Sequence, residues 1–102
     1  MNIVTFGEID DKYIDPKHKV VHFQSGCDEK VADIAVIDIN TIFDYEENKS
    51  HACKDKYVSV AIIDDDSDYD AFKNFGIDAW IQRDELGELN SLLNLIEKRF
   101  LS

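Results

Sequence analysis

Asp33-Ile-Ala-Val-Ile-Asp38 decides the fold. Its uninterrupted apolar centre, Ala35-Val36-Ile37, reads as a strand over Ile34–Ile39 that is buried on both faces, as in the middle of a parallel sheet. Asp38 closes the run with a carboxylate. Downstream, Val58-Ser-Val-Ala-Ile-Ile63 is a second such strand and opens into the acidic run Asp64–Asp70. Ser67 is an N-cap for a helix over Asp68–Phe75, with Asp68 and Asp70 at its positive end and Gly76 as its left-handed stop. Ile77–Gln82 follows as a strand. Alternation puts Ile77, Ala79 and Ile81 on one face, and Asp78, Trp80 and Gln82 on the other. A last helix runs from about Asp84 to the end. It carries Leu86, Leu89, Leu92, Leu93, Leu95, Ile96 and Phe100 at helical spacing, with Lys98 and Arg99 at its negative end.

The first half is less regular. Ile3–Phe6 is a short strand, and Lys19–Gln24 another, with Val20, His22 and Gln24 opposite Val21 and Phe23. Between them, Gly7 to Lys19 is polar, contains Pro16, and has room for one helical turn near Asp10–Tyr13. Ser25-Gly26 signals a turn, and Cys27–Val31 a turn of helix. Thr41 caps a helix to about Lys54, with Asp44 in the capping-box position and a thin apolar face of Ile42, Phe43, Tyr45 and Ala52. Strands alternating with helices, joined by right-handed crossovers, predict an α/β domain with a five-stranded parallel sheet ordered 2-1-3-4-5. The site is then expected at the carboxyl ends of the strands.

A chain of 102 residues is expected to be one domain with its own core. The formal net charge of -11 opposes binding to nucleic acid or to an anionic membrane surface, and leaves room for divalent cations or a basic protein partner. No run approaches the roughly 20 apolar residues of a membrane span. No signal peptide is visible, so the expected compartment is the cytoplasm, where Cys27 and Cys53 are free thiols. His18, His22, His51, Cys27 and Cys53 lack the spacing of a zinc site. The acidic run starting at Asp66 has Ala71 and Ile77 where a calcium loop needs Gly and Glu. The four glycines form no phosphate loop, and no nucleophile–base pair can be assigned, so the chain is not expected to be an enzyme.

Three stretches resemble the receiver (CheY-like) domain of bacterial response regulators. Asp33–Asp38 resembles the strand that carries the phosphoacceptor aspartate. Phe75-Gly-Ile-Asp-Ala-Trp-Ile-Gln-Arg83 resembles the family's Ala-Gly-Ala-Asp-Asp-Tyr-Leu-x-Lys segment, and Met1–Glu8 its first strand. The resemblance implies a flavodoxin-like fold, here with reduced first and second helices, in one receiver-like domain over residues 1–102. It implies Asp38 as phosphoacceptor, Arg83 as the phosphate contact, and a weak Mg²⁺ site at Glu8, Asp38 and the Asn40 carbonyl. Trp80 takes the place of the family's mobile aromatic, either as an anchor for a partner or packed under the helix before it.

The chain also departs from that family. Gly7 and Glu8 stand where two acids hold Mg²⁺, and Asp64 is the nearest substitute for the lost ligand. The fourth-strand hydroxyl is missing, and Arg83-Asp84 replaces Lys-Pro. The implied function is an atypical receiver that works by protein–protein interaction in a two-component pathway and is not efficiently phosphorylated. The alternative is a phosphoaspartate-accepting receiver using Asp38 with Mg²⁺. The partners implied are a protein or output domain and a second copy of the chain. A homodimer would use sheet left bare near Val4, Val21 and Val36; if Ile9, Tyr13 and Ile14 cover that gap, it would use Trp80 and the last helix.

Overall fold

In the computed structural model, which describes residues 2–7, 9–23 and 32–100, five strands form one sheet. They are β1 (Asn2–Phe6), β2 (Lys19–His22), β3 (Ala32–Asp38), β4 (Cys53–Ile63) and β5 (Ala79–Gln82). Every pairing is parallel and the order is β2-β1-β3-β4-β5. With α1 (Ile42–Ala52), α2 (Asp66–Phe72) and α3 (Leu89–Phe100), this is an α/β, flavodoxin-like fold. Ile34, Ala35, Val36 and Ile37 are each 0% exposed, as the apolar run of the central strand requires.

The two faces of the sheet are packed differently. On one, Ile3, Ile34, Val36, Val60, Ile62 and Ile81 meet Leu89, Leu93 and Ile96 of α3. Ile9 and Ile14 are buried in the same cluster and Tyr13 packs against it, beside a single 3-10 turn at Asp11–Tyr13. On this face the β1–β2 connection supplies the lid in place of a full helix, while Val21, which pairs with Val4 on the other face, remains 38% exposed. Val4 and Val36 lie on opposite faces, since Val4 pairs with Ala35 and Thr5 with Val36.

On the other face, Val4, Phe6, Ala35, Ile37 and Ile63 pack against Ile42 and Tyr45 of α1. Phe72, Phe75, Ile77 and Trp80 are only partly buried there. Ile77 thus sits on the side of Trp80, not that of Ala79, because β5 begins at Ala79 and the alternation starts only there. Phe6 stacks on Phe23 at 4.8 Å and meets Tyr45 edge-on at 5.4 Å.

Several boundaries move for identifiable reasons. β4 starts at Cys53, five residues before the expected Val58, across a register shift: Ala32 pairs with Cys53 but Ile34 with Val58. α1 accordingly ends at Ala52. Asp65, not Ser67, caps α2: it has extended backbone (φ -146, ψ 151), accepts from Ser67 N, and forms a capping box with Asp68. The last helix is preceded by a kinked 3-10 stretch over Arg83–Glu88, so α3 begins at Leu89. Gly76 does take the left-handed conformation, φ 76, after a 3-10 turn at Lys73–Phe75. β2 is assigned to His22; Gln24, the Ser25-Gly26 turn and Cys27–Val31 lie outside the described residues.

Candidate functional site

Asp38, Asp64 and Arg83 meet at the carboxyl end of the sheet. Asp38 ends β3 opposite Ile62 of β4, and Ile63 is opposite Gln82 of β5. The next residues after β4 and β5, Asp64 and Arg83, therefore leave the sheet beside each other. Arg83 Nη2 donates to Asp38 Oδ1 at 2.9 Å, and Nε donates to Asp64 Oδ1. One planar guanidinium thus bridges two carboxylates, a geometry that a lysine could not reproduce.

Asp38 is 8% exposed and is held further by its own chain. It caps a 3-10 turn at Ile39–Thr41, and Oδ1 accepts from Asn40 N at 3.0 Å and Asn40 Nδ2 at 3.1 Å. Together with Arg83, these donors commit Oδ1 to hydrogen bonding. The Arg83 hydrogen bond lowers the Asp64 carboxyl pKa, with Asn40 adding to the effect. The two acids in turn raise Arg83, Asp64 being the larger influence, so its charge is locked on. Thr41 makes no side-chain cap for α1. Its hydroxyl instead donates toward the carbonyls of Asp38 (2.8 Å) and Phe6 (3.1 Å), tying β1 to β3.

Gly7 explains why the expected acid pair is missing. Its φ is +101, and a Cβ built there would lie 2.7 Å from Asp38 Cβ and 3.2 Å from Thr41 Cγ2. This backbone has no room for a carboxylate at position 7. Glu8 lies outside the described residues. Among the described residues, no group of three or more His, Cys, Asp or Glu is placed to hold a metal. Asn40 points its amide nitrogen at Asp38, and the nearest second carboxylate, Asp64, is taken by Arg83. Among the described residues, this leaves a hard cation no second unpaired carboxylate beside Asp38.

No family model, curated protein or solved structure matches this chain. Trp80 is half-buried and meets Tyr69 of α2 edge-on at 5.1 Å, so it packs under the helix before it. Within the run Asp64–Asp70, Asp68 Oδ2 accepts from Asp64 N and Asp65 N at the start of α2, and Asp66 accepts from Gln82 Nε2 of β5. Cys53 is a free thiol, 3% exposed, and burial pushes its pKa up to about 11, which removes it as a nucleophile. Cys27 lies outside the described residues. No helix among the described residues is long and apolar enough to cross a membrane.

Three side chains read as part of apolar helix faces are exposed: Leu95 (45%) and Phe100 (67%) of α3, and Phe43 of α1. Phe43, assigned to the apolar face of α1, is 67% exposed, whereas Ile42 and Tyr45 are 1% and 2%. The signal was present: Ile42 and Tyr45 are three apart and share a face, and Phe43 falls about 100° away from Ile42.

Proposed function

We propose that this chain is an atypical, receiver-like signalling module of the cytoplasm that acts by protein–protein interaction in a two-component type pathway and is not efficiently phosphorylated. The observation that carries this reading is the bridge from Arg83 to Asp38 and Asp64. Charge-assisted donation from Arg83 and two donors from Asn40, all to Oδ1, stabilise the Asp38 carboxylate as an anion and so lower its reactivity as a nucleophile. With position 7 closed to a carboxylate, the charge of an incoming phosphoryl group lacks the metal that the resemblance would call for.

The same donors favour one alternative, a phosphoaspartate-accepting domain using Asp38. Asn40 N and Arg83 Nη2 both reach Oδ1 and could turn to phosphoryl oxygens. Incubation with acetyl phosphate and Mg²⁺, followed by intact-mass analysis, separates the two. The expected outcome is no phosphoryl adduct, and no change in Trp80 fluorescence with BeF₃⁻ and Mg²⁺. A stoichiometric adduct that Asp38→Asn abolishes would replace the interaction reading with the phosphoacceptor one.

A further inference from the structure

We infer that the face built by α1 and α2 is a docking surface for a basic, amphipathic segment of a partner protein. α2 and the 3-10 turn after it have no buried residue. They are held to the sheet by aromatic rings and by the hydrogen bond from Gln82 Nε2 of β5 to Asp66. Phe43 meets Phe75 edge-on at 6.2 Å, Phe75 contacts Phe72 at 5.5 Å, and Tyr69, one turn before Phe72, meets Trp80 at 5.1 Å. The rings form two groups, Phe43–Phe75–Phe72 and Tyr69–Trp80, each with an exposed member: Phe43 is 67% and Tyr69 46% exposed. Large rings with open edges are the kind of side chain that supplies binding energy at interfaces.

Charge selects the occupant. The two helices carry Glu46, Asp66, Asp68 and Asp70 against Lys49, with Lys73 following α2, whereas Asp44 and Glu47 line a cleft with Gly7 and Phe23 on the β1 side of α1. Lys49 is itself paired with Glu46 at 3.2 Å. A second copy of the chain would bring the same carboxylates, and its net charge of -11, against this face, so self-association here is opposed. A helix with leucines on one side and arginines on the other matches both features: apolar side chains on the rings, guanidinium groups over the ring faces and beside the carboxylates.

This names the partner chemistry of the interaction reading, and the two fail separately: an Asp38 phosphoryl adduct would overturn that reading, whereas this one turns on peptide binding. The test uses the full chain and a labelled leucine–arginine amphipathic peptide, followed by anisotropy and Trp80 fluorescence. The wild type should bind, and more weakly as salt rises. Phe43→Ser should weaken binding by about tenfold or more, with unchanged circular dichroism because the ring is exposed. Asp70→Asn should weaken binding and flatten the salt dependence. Phe100→Ser, equally exposed on α3 at 67%, should leave it unchanged, and a leucine–glutamate peptide should not bind. Equal binding by Phe43→Ser and wild type, equal loss with Phe100→Ser, or a homodimer in sedimentation that Phe43→Ser dissociates would each overturn the proposal.

Discussion

The two faces of the sheet have the same strands beneath them but different covers. On the α3 face, Leu89 and Leu93 are 0% exposed and Ile96 3%, and Ile9 and Ile14 close the gap left by a missing helix. On the α2 side of the other face, no helical residue is buried, and half-buried aromatic rings hold the helix down. The first arrangement maximises apolar area removed from water. The second leaves aromatic area accessible at the expense of stability, which is the trade an interaction surface makes.

Core truncation should break the comparison most visibly. Leu93→Ala is expected to cost about 2–5 kcal/mol in urea unfolding, because the cavity forms in a closed cluster. Phe72→Ala, on the open face, should cost distinctly less, since the ring is already partly in water. Equal losses would mean that the α2 face is as much a core as the α3 face.

Next in size is Gly7→Ala. Strain at positive φ and the overlap with Asp38 should cost roughly 1–3 kcal/mol, measured by thermal unfolding. A neutral result would mean that the turn rearranges readily and that the site has room for another ligand there. Asp65→Ala should cost about 1 kcal/mol, whereas Ser67→Ala should cost a few tenths at most. The reverse ranking would return the cap to Ser67.

The smallest effect is a pH dependence on the α3 side. His18 is 6% exposed, and its pKa is lowered mainly by burial, with Lys17 adding to the effect against Glu97 and Asp15. The unfolded chain therefore binds the proton more tightly than the fold does. Stability is full above the unfolded value of about 6.5 and falls as pH drops from there to the lower folded value. His18→Asn should flatten urea midpoints between neutral and mildly acidic pH. An unchanged slope would assign the dependence to another group.

Much of the molecule was legible before any coordinates. Strand burial, strand order and the stop at Gly76 follow from local pattern, because hydrophobic periodicity and glycine's left-handed freedom act over a few residues. Asp38 and Arg83 were identified as one site only through the family resemblance. That a guanidinium bridges Asp38 and Asp64, 45 and 19 residues away, depends on the register of three strands, which no local pattern encodes. The cap of α2 was misplaced because Asp65 and Ser67 both have capping side chains, and only the extended backbone at Asp65 chooses between them. The tertiary structure alone placed Ile9 and Ile14 over the sheet and left Phe43 outside it, since burial is decided by which distant element arrives to cover a side chain.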